Sequence, residues 1–338
     1  MGVDIGELFK EEKITFQDLN NQVIAIDAHN VLHQFLSSIR QRDGTPLKDA
    51  QGRITSHLSG LFYRTANMIE AGIKPVYVFD GEPHPLKTKT LQLRSERKIE
   101  AEKAWKEALE KGDLETARIK AQQTSRVTDE IIEQSKKLLT ALGIPFVQAP
   151  SEGEAQASYM VKKGDAYAVG SQDYDCLLVG APILVRNLTS TSKRKLPGKK
   201  AYVAISPEQI RLKENLERLG ITQEQLVDMA ILIGTDFNEG IKGIGPKKSL
   251  ELIKKNGSIE KILSNLNQTI PVEEIEEIRR VFLQPRITDE YKLKWGTPEE
   301  DKVFEILCEE HQFSRDRVEK TLKKFLDANY TTQQKTLF

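Results

Sequence analysis

The stretch KPVYVFDGEP, residues 74–83, places Asp80 directly after a short apolar run rich in β-branched and aromatic residues. The stretch VIAID, residues 23–27, does the same with Asp27. Both runs are typical of strands covered on both faces. Similar runs, separated by helical patterns, occupy residues 144–147, 167–169 and 183–185. This alternation predicts an α/β fold with a mainly parallel central sheet flanked by helices.

Two regions depart from the alternation. Residues 87–137 are highly charged and helix-prone, and Gly112 and Asp113 offer a break between two helices. The pattern predicts a helical insertion standing on the sheet, although on composition alone an ordinary solvated helical hairpin is favoured. After about residue 206 we expect only helices, the first opening at Ser206 and Pro207.

Acidic residues are placed where such a sheet binds ligands. Asp173 and Asp175 follow the run YAVGS, and Asp236 follows the apolar helical run MAILIGT. Ligands of open α/β sheets bind beyond the carboxyl ends of the strands, so we expect these acids to meet there. Carboxylates gathered at one edge repel one another unless cations lie between them. Oxygen ligands without cysteine favour Mg²⁺ or Mn²⁺ over zinc.

Simpler interpretations exist for single members of this set. An aspartate after a strand is often a turn former or a helix cap. The spacing of Ser151 and Glu154 matches a capping box, so Glu154 is as readily a helix cap as a metal ligand. His29 and His33, four residues apart, resemble half of a zinc site, but no HExxH motif supports that interpretation.

A glycine-rich turn gives a second signal. Gly243 and Gly245 precede a helical run that begins with Pro246, Lys247 and Lys248. Exposed backbone N–H groups and lysines at such a turn can bind phosphate. A tight interhelical turn with proline at the first helical position explains the pattern equally well.

Charge and composition limit the class of protein. Of the 338 residues 30% are charged, and the formal net charge is zero. A carboxylate-lined site would mask a basic surface elsewhere, such as the hairpin-like stretch at residues 193–200, which is otherwise a solvated turn. No apolar run reaches the roughly 18–20 residues of a membrane span. The first residues lack the pattern of a signal peptide, so we expect a cytoplasmic protein.

Five stretches together carry a resemblance that covers the chain from Gly2 to about Phe313. The sequence resembles the flap structure-specific endonucleases of archaea and eukaryotes, and in detail it is similar to the sequences of the archaeal branch. The stretches are TSHLSGLFYRT, KPVYVFDGEP, QAPSEGEAQA, SQDYDCLL and GTDFNEGIKGIGPKK.

The resemblance implies a PIN-like nuclease core with a helical arch and a C-terminal helix-turn-helix subdomain. It implies N-terminal nuclease residues 1–98, an arch at 99–137, and internal nuclease residues 138–258 with the helix-turn-helix from about 226. A helical region at 259–328 and a clamp-interacting tail at 329–338 follow. The implied activity is hydrolysis of a 5′ flap at the junction of single strand and duplex, with 5′–3′ exonuclease activity, in lagging-strand maturation and base excision repair.

The resemblance also assigns residues. Two Mg²⁺ ions, which Mn²⁺ can replace, would be held by Asp27, Asp80, Glu152 and Glu154 for the first and by Asp173, Asp175 and Asp236 for the second. Lys87 and Arg94 would hold the scissile phosphate as catalytic residues. The residues implied in DNA binding are Gly2, His33, Gly243, Gly245, Lys247 and Lys248.

Further expectations concern partners. The helix-turn-helix would also bind a monovalent cation, and His33 replaces the tyrosine common in the family. Gln334, Leu337 and Phe338 resemble a shortened sliding-clamp motif. The resemblance implies a monomer that acts on branched DNA near the nucleoid.

Three rival functions remain at the level of sequence. A 5′–3′ exonuclease or a gap- or bubble-cutting relative would use the same acids. A catalytically silent DNA-binding or clamp-associated scaffold would have no use for seven mutually repelling carboxylates. A small-molecule phosphatase is disfavoured by the helical insertion and the glycine turn.

Overall fold

The computed structural model of the chain describes residues 2–189, 193–195 and 202–334. Within these residues the strands are β1 (Glu12–Lys13), β2 (Val23–Asp27), β3 (Lys74–Phe79), β4 (Phe146–Gln148), β5 (Ala168–Gly170), β6 (Ile183–Arg186), β7 (Lys193–Lys195), β8 (Tyr202–Ala204) and β9 (Glu208–Arg211). Seven of them form one sheet in the order β1-β9-β6-β5-β2-β3-β4. Strands β7 and β8 form a separate antiparallel hairpin.

The central sheet is mainly parallel, which confirms the predicted fold class. Neighbours from β6 through β5, β2 and β3 to β4 are parallel, and β9 and β1 add antiparallel strands at one edge. The expectation of helices alone after residue 206 is wrong, because β9 pairs with β6. Its sequence EQIR has one apolar residue, so the hydrogen bonds to β6, and not its own pattern, stabilise the extended chain.

The helices are α1 (Ala28–Ser38), α2 (Ser56–Glu70), α3 (Thr88–Glu110), α4 (Leu114–Gln122), α5 (Asp129–Ala141), α6 (Gly153–Lys163), α7 (Asp175–Leu178), α8 (Leu212–Leu219), α9 (Gln223–Ile233), α10 (Pro246–Asn256), α11 (Ile259–Leu266), α12 (Val272–Leu283), α13 (Glu300–Phe304) and α14 (Arg315–Gln334). A π-helical turn, Glu305–Glu310, extends α13. No helix in the described ranges is both long and apolar enough to span a bilayer.

The sheet separates two hydrophobic cores, and the side chains of β2 alternate between them. Ala25 packs into the core formed with α6, α7 and α9, whereas Ile24 and Ile26 pack into the core formed with α1, α2, α5 and α14. This alternation is the two-residue period of a strand. Both faces of β2 are therefore covered, and its carboxyl end is left as the place where polar side chains can gather.

Helices α3 and α4 form the predicted helical insertion. Asp113 caps α4 by accepting a hydrogen bond from the backbone of Thr116 at 3.0 Å, and Gly112 has a φ of 72° in the turn between the helices. Over its 23 residues α3 buries only Ala101 and Ala108. Such a helix stands away from the sheet. The division of the chain at residues 99 and 137 stays a prediction.

Candidate active site

The carboxyl ends of β2 and β3 deliver two acids to the same edge of the sheet. Asp27 ends β2, and its Oδ1 accepts a hydrogen bond from the backbone of Asn30 at 3.0 Å, which caps α1. Asp80 follows β3, and its Oδ1 accepts from the backbone N–H of Gly153 at 2.7 Å. The acid after one strand thus satisfies the first N–H group of a helix that follows another strand.

Helix α6 begins beside these acids and contributes Glu152 and Glu154. The capping-box interpretation, which the sequence left open beside metal ligation, is wrong, because Glu152 occupies the N-cap position and makes no capping hydrogen bond with its side chain. The hydroxyl of Ser151 instead donates to the carbonyl of Glu82 at 3.0 Å. The carboxylate of Glu154 is therefore not used as a helix cap.

Asp173 lies beyond β5 and is tied to β2 by residues that the sequence analysis missed. The Ser171 hydroxyl donates to Oδ2 of Asp27 at 3.1 Å, and the side-chain amide of Asn30 donates to Oδ2 of Asp173 at 2.9 Å. An asparagine three residues after Asp27 on a helix was the available signal, since it lies one helical turn from the acid.

Asp175, the first residue of α7, contacts the N-terminal segment of the chain. Its Oδ1 accepts a hydrogen bond from the backbone of Val3 at 2.8 Å. A Cβ atom added at Gly2 would overlap the Asp175 carboxylate. The structure therefore places Gly2 against the acidic cluster, at a position where a larger residue does not fit without a shift.

Two basic side chains reach the acids from the base of the helical insertion. Lys87 ends the 3₁₀ turn Pro85–Lys87 and forms an ion pair with Oε2 of Glu152, and its Nζ lies 4.0 Å from Oδ2 of Asp236. Arg94, about two turns further along α3, forms an ion pair with Oδ1 of Asp236. The predicted catalytic pair and the predicted metal ligands thus occupy one site.

The acids are close enough to disturb one another's ionisation. Burial, together with the charges of Asp80 and Asp173, raises the pKa of Asp27 to about 8. Burial and neighbouring acids raise the pKa of Asp175 to about 7, and they raise the pKa of Glu154 well above its usual range. Through these interactions the seven acids form one electrostatic cluster.

The charges of the acids also act on Lys87. Burial alone would lower the pKa of Lys87, but the charges of Glu154, Glu152 and Asp236 raise it above its ordinary value. Lys87 therefore stays protonated at neutral pH. Its positive charge offsets part of the repulsion within the cluster.

The donor set fits a hard divalent cation. All seven acids supply oxygen, and Oε1 of Glu152 is buried without a hydrogen-bond partner. In the described ranges, however, no three His, Cys, Asp or Glu side chains are arranged so that they could hold an ion as they stand. Lys87 and Arg94 lie on Glu152 and Asp236, so an ion there requires these side chains to turn away.

The glycine turn forms the predicted entry to a helix. Gly245 is the N-cap of α10, Pro246 is its first residue, and Gly243 has a φ of 85°. A Cβ at either glycine would meet nothing within 4 Å, so the backbone is open to a ligand. Lys247 forms an ion pair with Glu7 at 3.0 Å, and Lys248 Nζ lies 3.4 Å from the carbonyl oxygen of Gly243.

The two histidines of α1 have different surroundings. His29 Nδ1 accepts a hydrogen bond from the backbone of Asp80 at 3.1 Å. Burial, followed by the charges of Lys98 and Arg94, lowers the pKa of His33. His33 therefore binds a proton less readily than a free histidine does.

Some predicted residues lie outside the described parts of the chain. Leu337 and Phe338 of the clamp tail are among them, and Gln334 is the last residue of α14. Of the basic hairpin, the structure describes the pairing of β7 with β8 and leaves residues 196–201 undescribed.

Comparison with known proteins places the fold and the acids in a class. The XPG N-terminal domain matches residues 5–101, and the XPG I-region matches residues 143–236. These two matches include all seven acids and both basic residues. The chain is thus an XPG-type nuclease, a class of metal-dependent enzymes.

Whole-chain comparisons narrow the class. Flap endonuclease 1 of Pyrococcus abyssi is 56% identical over 338 residues, which are 100% of this chain and 97% of that protein. The solved flap endonuclease-1 of Methanococcus jannaschii has a TM-score of 0.78 and 44% identity, covering 98% of this chain and 100% of that one. The chain therefore belongs to the flap endonuclease 1 family.

A more distant structure shares the fold. The catalytic core of Rad2 in complex with DNA substrate has a TM-score of 0.71 at 22% identity, covering 95% of this chain and 97% of that one. At this identity the likeness extends to the architecture alone.

Proposed function

We propose that this flap endonuclease cuts the phosphodiester at the junction of a 5′ single strand and a duplex, at the acidic cluster described above. The supporting observation is the joining of seven carboxylates from separate elements with two basic side chains at the base of the helical insertion. A nuclease needs cations at such a cluster and needs positive charge for the phosphate. A catalytically silent DNA-binding scaffold would gain nothing from seven carboxylates that repel one another.

The carboxylates divide into two sets around two Mg²⁺ ions. Asp27, Asp80, Glu152 and Glu154 would hold one ion, and Asp173, Asp175 and Asp236 the other. When bound, such ions lower the pKa of water and stabilise the leaving oxygen of an in-line displacement. The raised pKa values of Asp27 and Asp175 support cation binding, because burial first and neighbouring acids second raise them, and a bound cation would offset both effects.

Lys87 and Arg94 supply the charge for the scissile phosphate. Both are held beside the acids by ion pairs, so either can move from a carboxylate to a phosphate oxygen by a change of side-chain conformation. Fixed positive charge next to a phosphate stabilises the charge that develops during its transfer.

Selectivity would come from the shape of the DNA. The insertion formed by α3 and α4 stands over the acidic cluster and would receive the single strand, while the turn before α10 would bind the duplex backbone. We also propose a monovalent cation at that turn, a sliding clamp bound by Gln334, Leu337 and Phe338, a monomeric state, and a cytoplasmic location. Contacts to phosphates carry no base sequence and weaken as salt rises.

Replacement of Asp173 by alanine tests the proposal. We expect cleavage of a labelled 5′-flap substrate in Mg²⁺ to fall by at least about 100-fold, because the ion that this acid would hold stabilises the transition state. Binding of the same DNA, measured with chelator, should change little. Asp18→Ala is the matched control, since Asp18 is exposed and its carboxylate bonds only Thr15 among the described residues.

Three outcomes would count against parts of the proposal. Cleavage by Asp173→Ala at the wild-type rate would remove that acid from the site. Turnover by the wild type in excess chelator would show that cleavage requires no metal ion. Cuts confined to the end of a blunt duplex would indicate an exonuclease in place of a flap endonuclease.

A further inference from the structure

A cavity of about 230 Å³ lies beside two of the proposed metal ligands. Glu152 and Glu154 line it on the side of the acidic cluster, and Phe237 and Phe282 give it a buried aromatic surface. Arg280 and Arg286, near the end of α12, also line it and are exposed, so they lie towards its opening. The proposed function leaves this cavity without a role.

The aromatic surface is held in place by its neighbours. The Phe237 ring meets Phe282 edge to face, with centroids 5.4 Å apart, and meets His84 in the same manner at 5.9 Å. Lys87 Nζ lies 5.4 Å from the centroid of the same ring. Because Lys87 also pairs with Glu152, it connects the Phe237 ring to the acidic cluster.

The positive charges of Arg280 and Arg286 are available to a ligand. Arg280 donates a hydrogen bond only to the backbone carbonyl of Glu276, at 3.3 Å, and no ion pair joins either arginine to an acid within the described part of the chain. Glu277 lines the same cavity and pairs with neither. A guanidinium in this state is available to a phosphate, which matches its planar set of donors.

The distribution of charge selects the ligand. The carboxylates oppose an anion deep in the cavity, whereas the arginines favour one at its opening. A ligand must therefore combine a flat, uncharged part with a separate anionic group. Ligand pockets usually measure roughly 300–1,000 Å³, so this cavity of about 230 Å³ can enclose one base with its phosphate at the opening, and not an oligonucleotide.

We infer that this cavity is a subsite for one unpaired nucleotide, whose base packs against Phe237 and whose phosphate is bound by Arg280 and Arg286. The inference rests on the proposed function, because it places that nucleotide next to the scissile phosphate. Stacking of a base on an aromatic side chain is tolerant of sequence, as a flap nuclease requires. A flap nucleotide and a free nucleoside monophosphate both combine a base with a phosphate, so both match this site.

The first experiment compares two flap substrates that differ only in the flap nucleotide next to the cut, which carries a base in one and is abasic in the other. We expect the wild type to favour the base-bearing flap about tenfold in kcat/KM. In the double variant Arg280→Ala/Arg286→Ala this preference should fall below about twofold. The double variant should also cut the base-bearing flap about tenfold more slowly, because the phosphate is no longer bound.

The second experiment titrates deoxyadenosine monophosphate into each protein by calorimetry, with chelator present. Lys10→Ala/Lys213→Ala is the matched control, since it removes two exposed positive charges that do not line the cavity. Thermal unfolding verifies that both double variants are folded. The control should match the wild type in every measurement.

The outcomes distinguish a flap nucleotide from a free nucleotide as the ligand, and they test the subsite separately from the proposed flap cleavage. A base preference that the arginine variant loses assigns the subsite to the flap nucleotide. Saturable binding of the free monophosphate that only the arginine variant loses assigns it to a free nucleotide. If the wild type cuts both flaps equally, binds no monophosphate and matches the arginine variant, the inference is overturned while the proposed flap cleavage stands.

Discussion

The side-chain amide of Asn30 donates a hydrogen bond to Oδ2 of Asp173 at 2.9 Å, although 143 residues separate the two in sequence. Its Oδ1 accepts from the backbone of Gln172 at 3.1 Å, and its own backbone N–H donates to Oδ1 of Asp27 at 3.0 Å. One residue therefore orients an acid from each of the two proposed metal sets.

Replacement of Asn30 by alanine should weaken metal binding. Side chains that orient metal ligands typically contribute about 10- to 100-fold in metal affinity or activity. We expect the Mg²⁺ concentration for half-maximal flap cleavage to rise by that factor, and calorimetric titration of Mg²⁺ without DNA should show the same shift. Asn265→Ala is the control, since within the described part of the chain its side-chain amide bonds only Asn256, on the surface. An unchanged Mg²⁺ requirement would show that Asp173 is oriented without Asn30.

Lys87 and Lys89 offer a matched pair for testing the catalytic charge. Lys87 is largely buried against the acids, whereas Lys89 is 74% exposed and pairs with Glu239. We expect Lys87→Ala to lower single-turnover cleavage by about 100-fold or more, because a positive charge next to the phosphate is lost. Affinity for flap DNA should change only a few-fold. Lys89→Ala should change neither quantity much. A collapse of DNA affinity in Lys87→Ala would make this lysine an electrostatic anchor with no catalytic role.

A buried ion pair joins α9 to α12. Arg279 donates to both carboxylate oxygens of Asp228 at 2.8 Å, and Asp228 is 4% exposed. Burial raises the pKa of Asp228, and the hydrogen bonds from Arg279 offset this only in part. Removal of one partner of such a pair leaves a buried charge without compensation. Arg279→Met should therefore lower the free energy of unfolding by about 3–5 kcal/mol.

The double variant Asp228→Leu/Arg279→Met should recover most of that loss, since no charge is then left buried. Urea denaturation at pH 7 measures both variants. Equal destabilisation of the single and double variants would show that packing, and not the unpaired carboxylate, accounts for the effect.

His57 should make stability depend on pH. Burial lowers the pKa of His57 to about 4, although its hydrogen bond with Gln134 acts to raise it, and an unfolded chain has a histidine pKa of about 6.5. Between these values the unfolded state binds a proton that the folded state does not. Stability should therefore fall as the pH drops from about 6.5 towards 4, by up to about 1.4 kcal/mol per pH unit.

The variant His57→Gln removes this titration and keeps a donor for Gln134. Urea denaturation of both proteins at several pH values compares the slopes, and the variant should have the smaller one in this window. Identical slopes would assign the pH dependence to other groups.

Much of the fold could be predicted because its strands and helices carry their own periodic patterns. The five buried strands of the parallel part, the helical insertion and the helix that begins at Pro246 follow from apolar runs, charge and turn residues. Strands β1 and β9 could not be predicted in this way. Each is short and mostly polar, and each exists because a neighbouring strand supplies hydrogen bonds.

The sequence by itself determined which acids belong together, because five of the seven follow strands or an apolar helix and all seven lie in motifs of the resemblance. Tertiary structure alone decided how they are held. Acids far away in sequence are oriented by Asn30, Ser171 and the backbone of Val3. The first backbone N–H group of α6 donates its hydrogen bond to Asp80 and not to Ser151. Hydrogen bonds and charges act through space, so partners distant in sequence become visible only when the chain is folded.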